Sequence, residues 1–461
     1  MTNNKLFHQR RGSAGIVIAV ILIIIIAGLG YLYNAPMFER NAPKIHIASK
    51  IDWNLQKPLQ LGVSDDSGIK FIRIILSDGK NSVSLLKKIY TKIEKNQHLE
   101  ITFPRTGFVS TKKNFSLKIQ VTDASKWNFF SGNSAEKTVS IIVDRTRPEV
   151  YVIDNSYKIT RGGSALVVFK ATDNNLKDLY VITNFGKKFY PTPFYKKGYY
   201  ISLLAWPVQE KNFRATVVVT DYAGNISKSR VRLFLKDKKY KLSHITLKDN
   251  FLNGKISNLI SEIMPELSNA SKIEKFKAIN EKLRGVNEKN IDDATSKTET
   301  SMIRNFTLNP FYPLKNSAAV ASFGDHRYYR YGGQQISEAY HLGIDLASVR
   351  FASIRSKNPG TVVFAQPNGI YGNNLIISHG LGLYTLYGHC SRFLVQAGDH
   401  IKANEIIAKT GSTGLALGDH LHFGVLVQSV EVRPEEWMDK SWMKTNIFAI
   451  ISASKKMIDK N

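Results

Sequence analysis

The chain has 461 residues, of which 43% are hydrophobic, enough for about three domains with a sizeable core. Its single cysteine, Cys390, excludes an intrachain disulfide and a cysteine-based zinc site, so any metal must be held by histidine and carboxylate. Lys and Arg number 64 against 37 Asp and Glu, a net charge of +27. That excess suits an anionic surrounding or a Lys- and Asn-rich solvated surface, and no block of like charges or nucleic-acid-binding signature accompanies it.

Residues 14–33, AGIVIAVILIIIIAGLGYLY, form one apolar run. About 20 residues at helical rise cross a bilayer core. Lys5, Arg10 and Arg11 precede it without an acid, which predicts a cytoplasmic tail over 1–13 and export of everything after about Asn34. The expectation is a single-pass protein of the cytoplasmic (inner) membrane, its bulk periplasmic or otherwise extracytoplasmic, with Tyr31 and Tyr33 at the outer interface. A cleaved signal peptide is the competing reading, with Gly28 and Gly30 as a small-residue cleavage site. Both readings export the chain and leave no nucleic-acid partner.

From about 41 to 238, short β-branched and aromatic runs alternate with turn signals, and an internal repeat is visible. Ala42-Pro43-Lys44-Ile45-His46-Ile47 opens one copy and Arg147-Pro148-Glu149-Val150-Tyr151-Val152 the other. Each has a turn (Ser77-Asp78-Gly79 and Asn184-Phe185-Gly186) and a late Val-Thr-Asp, at 121–123 and 219–221. These copies, 41–144 and 145–238, look like immunoglobulin-like β-sandwiches that serve as spacers or dock protein partners.

Leu252, Ile256, Leu259, Ile260, Ile263 and Leu267 fall at helical spacing. Pro265 ends or kinks that helix, and Ser271-Lys-Ile-Glu274 fits a capping box for a second. Ile273, Phe276 and Leu283 give its stripe. Residues 286–300 are polar and aperiodic, so 245–298 reads as a helical hairpin plus linker. From 300 to 443 short strands return with many glycines: TVVFA, NLIISH, LYTLYGH, EIIAKTG and HLHFGVLV. This predicts a compact, antiparallel β-domain, and hence a mainly β, multidomain chain. The tail, 444–461, holds a short apolar run, IFAII, and then lysines.

Seven of the 11 histidines lie in this last region. In the stretch GDHLHFGV, strand alternation puts His420 and His422 on one face and Leu421, Phe423 and Val425 on the other. His341-Leu-Gly-Ile-Asp345 places an imidazole and a carboxylate four residues apart, with Gly343 and Ile344 arguing for loop and strand rather than helix. His341, Asp345 and one histidine of the pair would make a site with three protein ligands, the catalytic zinc pattern. A further histidine beside it can move a proton.

His341-x-x-x-Asp345, Leu386-Tyr-Gly-His389 and His420-x-His422 together resemble the lysostaphin/LytM-type zinc metallopeptidases, which cut peptidoglycan peptides. The resemblance covers about 318 to 440. It includes Ser322-Phe-Gly324, Gly369-Ile-Tyr-Gly-Asn373, His379-Gly-Leu-Gly-Leu383, Gly411-Ser-Thr-Gly414 and Pro434-Glu-Glu-Trp437. It implies Zn2+ on His341, Asp345 and His422, with His389 and His420 flanking and polarising the metal-bound water or the scissile carbonyl. Ser378 stands where an acid is common and Cys390 where leucine is common; neither replaces a ligand. Cys390 is expected as a small buried hydrophobe, His379 as a structural histidine near the groove, and His326 and Arg327 on a loop where Arg327 either meets a substrate carboxylate or is a solvated charge. The expected activity is zinc-dependent cleavage of peptide cross-links in peptidoglycan. The alternative is a non-catalytic scaffold or activator of other wall hydrolases. A lid over the groove from 245–298 is a further expectation.

Overall fold

The computed structural model describes residues 12–104 and 106–460. Lys5, Arg10 and Arg11, on which the expected orientation rests, lie outside the described residues. The chain divides into two compact units, 1–147 with 221–225, and 148–220 with 226–461.

In the first unit, Gly12–Asn34 is one helix, long and apolar enough to cross a membrane. After it comes a single six-stranded sheet. Its longest members, Leu59–Ser77 and Ser82–Ile101, form a hairpin. The turn falls where the sequence places it: Asp78 Oδ1 accepts from the backbone N–H groups of Lys80 (2.9 Å) and Asn81 (2.7 Å), and Gly79 takes the left-handed conformation a side chain would resist. Alternate residues of the sheet (Ile72, Ile74 and Leu76; Leu117, Ile119 and Val121) are fully buried and make the core.

The second unit begins with two four-stranded sheets. One holds Glu149–Asn155, Ser164–Thr172, Tyr199–Ala205 and Thr192–Pro193; the other holds Leu176–Thr183, Lys188–Phe189, Ala215–Asp221 and Ile226–Val231. Leu242–Thr246 then pairs in parallel with Asp325–Tyr331, which pairs antiparallel with Gln334–His341. An eight-stranded sheet follows, with Leu421–Val427 between Ile344–Ala347 and Leu383–Cys390, beside a small sheet of Ser353–Arg355, Ile406–Lys409 and Arg392–Phe393. The segment Pro434-Glu-Glu-Trp437 docks on the second β region of the same unit. Ser164 N–H donates to Glu436 (2.9 Å), and the Trp437 indole donates to the Ser164 hydroxyl (3.1 Å). The tail is helical, Ala449–Lys460, and buries Ile451 and Ile458.

Ser271 caps its helix with a reciprocal capping box, and the preceding helix stops at Ile263, before Pro265. The expected linker is where sequence and structure part. Helix continues through Arg284–Thr295, because its buried stripe is Asn287, Ile291 and Thr295, four residues apart but mostly polar, so hydrophobic periodicity does not report it. Asn287 is the reason the stripe can be polar. Its side-chain oxygen accepts from Ile370 N–H (2.9 Å) and its backbone carbonyl from Asn368 Nδ2 (3.2 Å), pinning the 368–372 turn. Asn287→Ala strands the buried Ile370 N–H and is expected to cost about 1–3 kcal/mol, read from urea unfolding, while Asn287→Asp, which keeps the acceptor, costs less.

Candidate metal centre and active-site groove

Three strands bring three candidate metal ligands together. His341 ends Gln334–His341, Asp345 sits in Ile344–Ala347, and His422 in Leu421–Val427. Antiparallel register sets Asp345 directly opposite His422. His341 Nε2 lies 3.0 Å from Asp345 Oδ1 and 3.1 Å from His422 Nδ1, and His422 Nδ1 lies 2.9 Å from Asp345 Oδ1. Zinc held at about 2.0–2.1 Å by three corners of a tetrahedron separates its ligand atoms by about 3.3 Å. The observed triangle fits that face with little adjustment, and the two-imidazole, one-carboxylate donor set suits the ion.

The backbone decides which nitrogen each histidine offers. The Nδ1–H of His341 donates to the Ser322 carbonyl (3.0 Å), that of His389 to the Thr413 carbonyl (2.8 Å), and that of His420 to the Gly418 carbonyl (2.8 Å). A carbonyl can only accept, so each neutral ring keeps its Nε2 lone pair for the groove. His420 Nε2 is 3.7 Å from Asp345 Oδ1. The His389 and His420 ring centres are 4.8 Å apart, and His389 lies 6.0 Å from the His422 ring. The five residues singled out from the sequence therefore share one cluster.

Electrostatics follow from burial. Desolvation pulls the Asp345 carboxyl up, but the His341 and His422 imidazoles set against it outweigh that and hold the group well below the usual carboxylate range. Burial, with His422 and His420 nearby, pushes His389 down to about 3. Burial also lowers His422, against the pull of Asp345. His389 carries a positive φ of 61°, a conformation that histidine tolerates better than most residues but that still stores strain.

The centre opens into a groove of about 720 Å³. One wall is the three-stranded sheet whose face bears Ile245, Arg327, Tyr329, Ala339 and finally His341; the 415–420 loop and Tyr371 also line it, and Phe251, Phe276 and Arg284 of the helical segment close one side. Arg327 and His326 are on the strand Asp325–Tyr331 rather than a loop. Gly324 makes the turn before it, with φ at 81°, and pairing to both neighbours extends the chain at once. His326 stacks on Tyr340 at 4.1 Å between ring centres. Arg327 Nε donates to the buried Asp325 (3.1 Å), whose other oxygen accepts from Ser243 (2.7 Å). Tyr371, whose ring meets His422 edge-on at 5.6 Å, is a groove residue that the histidine spacing does not disclose; its place in Gly369-Ile-Tyr-Gly-Asn373 is the one signal the sequence carries for it.

Two residues stand apart from the groove. Cys390 is fully buried, and burial pushes its thiol up to about 12. His379 donates from Nδ1 to the Pro359 carbonyl (2.8 Å) and accepts at Nε2 from the Thr385 hydroxyl (2.8 Å). Burial lowers its pKa from 6.5 to about 4. The unfolded chain then takes up this proton first as pH falls, so stability is complete above the unfolded value and is lost between it and the folded one. The loss should approach about 3 kcal/mol, and His379→Gln should flatten that part of the pH dependence in urea unfolding.

Residues 339–434 match the model of Peptidase family M23. Over 94 residues the chain is 37% identical to the DD-carboxypeptidase/endopeptidase Mpg of Neisseria meningitidis serogroup B, covering 20% of this chain and 22% of that protein. Over 130 residues it is 32% identical to the peptidoglycan DD-endopeptidase ShyB of Vibrio cholerae, covering 26% of this chain and 30% of that one. The chain thus spans under a third of the length of these curated relatives. Among solved structures, the catalytic domain of lysostaphin from Staphylococcus simulans is similar at 27% identity and a TM-score of 0.23, over 27% of this chain and 92% of that one.

Proposed function

We propose that this chain, whose C-terminal region is a Peptidase family M23 domain, is a zinc-dependent endopeptidase that hydrolyses peptide cross-links of bacterial peptidoglycan. The observation that carries the reading is the triangle of His341, Asp345 and His422 ligand atoms, 2.9–3.1 Å on a side, beside two histidines whose Nε2 atoms face the same groove. His341 Nε2, Asp345 Oδ1 and His422 Nδ1 would hold the ion. Bound there, zinc supplies Lewis acidity and acidifies water. In the reaction water adds to the peptide carbonyl carbon, the C–N bond breaks, and a proton moves from the water to the leaving amine. His389 and His420 are placed to take that proton at Nε2 and, once protonated, to donate to the oxygen that gathers negative charge.

Arg327 gives the reading a preference. Asp325 and Ser243 fix its head on the groove wall, two residues along the paired strand from His341, roughly 7 Å at strand rise. A guanidinium has donors to spare after one bond, and stem peptides carry free carboxylates. Arg327→Gln should raise KM about tenfold, the worth of a charged hydrogen bond, and leave kcat within about twofold. An equal loss in kcat would move Arg327 out of substrate binding.

We read helix Gly12–Asn34 as a retained anchor with the remainder exported, and the two β regions as immunoglobulin-like spacers. The deciding experiment purifies the full chain in detergent without chelator, measures bound metal, and digests isolated peptidoglycan with products read by mass. Near-stoichiometric zinc with cleaved cross-links is expected. Zinc without turnover would favour the non-catalytic scaffold, and no zinc would remove the basis of the reading.

A further inference from the structure

We propose that the loop between Asp123 and Asn133 is a membrane-docking loop, seating Trp127, Phe129 and Phe130 in the lipid interface beside the anchor. The inference rests on reading Gly12–Asn34 as a retained span.

The two β copies share a clamp at this point. Asn133 donates its N–H and its side-chain amide to the Asp123 carboxylate (2.8 Å each), and Asn225 does the same to Asp221 (2.7 and 2.8 Å). In the second copy the clamped residues are four apart; in the first they are ten apart. The extra length, in Ala-Ser-Lys-Trp-Asn-Phe-Phe-Ser-Gly (124–132), sits in the copy next to the apolar helix.

What the extra residues do is expose aromatic surface. Phe129 is 96% exposed, Phe130 67% and Trp127 40%. Asn128, Phe129 and Phe130 all take left-handed backbone, with φ of 53°, 55° and 66°, which side chains resist. The fold holds three strained residues in a row and gains no buried ring from them. A chain that keeps such a cost has another use for those rings.

The position names the partner. Lys126 N–H donates to the Met37 carbonyl (2.7 Å), and Ser125 and Asn133 side chains to the Glu39 carbonyl (2.6 and 2.9 Å). The Arg40 guanidinium lies 3.5 Å from the ring centre of Tyr33, in the last turn of the helix, and 4.3 Å from that of Trp127. Met37 is three residues past the end of the helix, within about 11 Å of it even fully extended. Lys70 reaches the Phe130 carbonyl (3.5 Å), so the cations Arg40 and Lys70 lie beside the rings, while the carboxylates of this segment, Glu39, Asp65 and Asp123, gather on one another and on the Asn133 clamp. Exposed aromatic rings with an arginine and a lysine beside them, at the end of a span, fit the headgroup zone of a bilayer that carries anionic lipid. Docked there, the first β-domain has two attachments to the membrane rather than a swivel.

The test uses the full chain in vesicles of phosphatidylethanolamine and phosphatidylglycerol, with Phe129→Cys carrying an environment-sensitive NBD label. Cys390 is fully buried and stays unlabelled. Val109→Cys is the reference: it is 88% exposed, on the loop at the opposite end of the strand Asn114–Asp123. A blue-shifted Phe129 label, quenched several-fold more than the Val109 label by lipids brominated near the headgroup, is the expected result. Equal quenching at both sites, in protein that floats with the vesicles after alkaline wash, overturns the docking loop and leaves the anchor standing. Protein that does not float overturns both. A Phe129 label shielded from brominated lipid and from aqueous iodide alike puts a protein in the lipid's place and also overturns the proposal. Phe129→Asp with Phe130→Asp should abolish the lipid quenching of a label placed at Trp127→Cys, while cleavage of soluble muropeptides stays unchanged.

Discussion

Alanine at His422 should remove metal and peptidase activity together, whereas alanine at His420 should leave the metal in place and remove only the activity. The two residues are a strand repeat apart on one face, yet their nitrogens have different tasks. His422 Nδ1 is a corner of the ligand triangle. Without it His341 and Asp345 remain, and two protein ligands do not hold zinc against exchange; the affinity loss should exceed the about 10–100-fold that follows from removing a mere supporting partner of a ligand. His420 Nε2 stands 3.7 Å from Asp345 Oδ1, outside the triangle, so its loss should lower kcat by about 10²–10⁴-fold, the usual worth of a proton-transfer group. His389→Ala belongs with His420→Ala, and His341→Ala and Asp345→Ala with His422→Ala. Metal content by mass spectrometry, kcat from released muropeptides, and a circular dichroism spectrum for each variant separate the groups. If His420→Ala emerges without zinc, the division of roles is wrong and the centre has a fourth protein ligand.

The same histidines show what a sequence can and cannot disclose. Alternation in GDHLHFGV is a local property, so the face shared by His420 and His422 is legible from period two alone, and Leu421, Phe423 and Val425 are indeed fully buried opposite them. The pairing of Asp345 with His422 is set by register between strands 77 residues apart, which no local pattern carries. Nor are the carbonyls of Ser322, Thr413 and Gly418 visible as groups that orient histidines, since every residue has one. Their positions explain why short motifs such as Ser322-Phe-Gly324 and Gly411-Ser-Thr-Gly414 accompany the histidines. The helix over 284–295 was hidden for a related reason. Its inward face is mostly amide and hydroxyl, with Ile291 alone between Asn287 and Thr295, and apolar periodicity reads only stripes that bury by the hydrophobic effect. Arg327 could be suspected from the sequence, but its fixed head depends on Ser243, whose strand joins the sheet from far upstream.

Gly343→Ala, a change of one methyl group, should disable the centre as thoroughly as removing a ligand. The backbone at Gly343 is not in the left-handed region, so alanine meets no conformational objection there. The obstacle is contact: a Cβ would lie 2.6 Å from Cε1 and Nε2 of His422 and 2.8 Å from the Phe423 carbonyl oxygen. One of these neighbours must move. If the imidazole turns away, Nδ1 leaves the triangle; on its other side the ring has only the room that Gly388, directly opposite in register, leaves for it, and Tyr371 packs against it. If instead the strand shifts, it disturbs the Ile344–Phe423 and Asp345–His422 pairs that align the ligands. Overpacking of this kind costs about 1–3 kcal/mol, and zinc affinity should fall by at least the about 10–100-fold seen when a ligand is merely misdirected. Gly285→Ala is the control, because a Cβ there meets nothing within 4 Å and the residue lies in the helix Arg284–Thr295. It should raise stability by up to about 1 kcal/mol and leave the metal untouched. Zinc titrations and urea unfolding of the two variants decide the matter. Wild-type zinc affinity in Gly343→Ala would mean that the histidine ring has slack, and that the ligand triangle is held by the metal rather than built in advance by the strands.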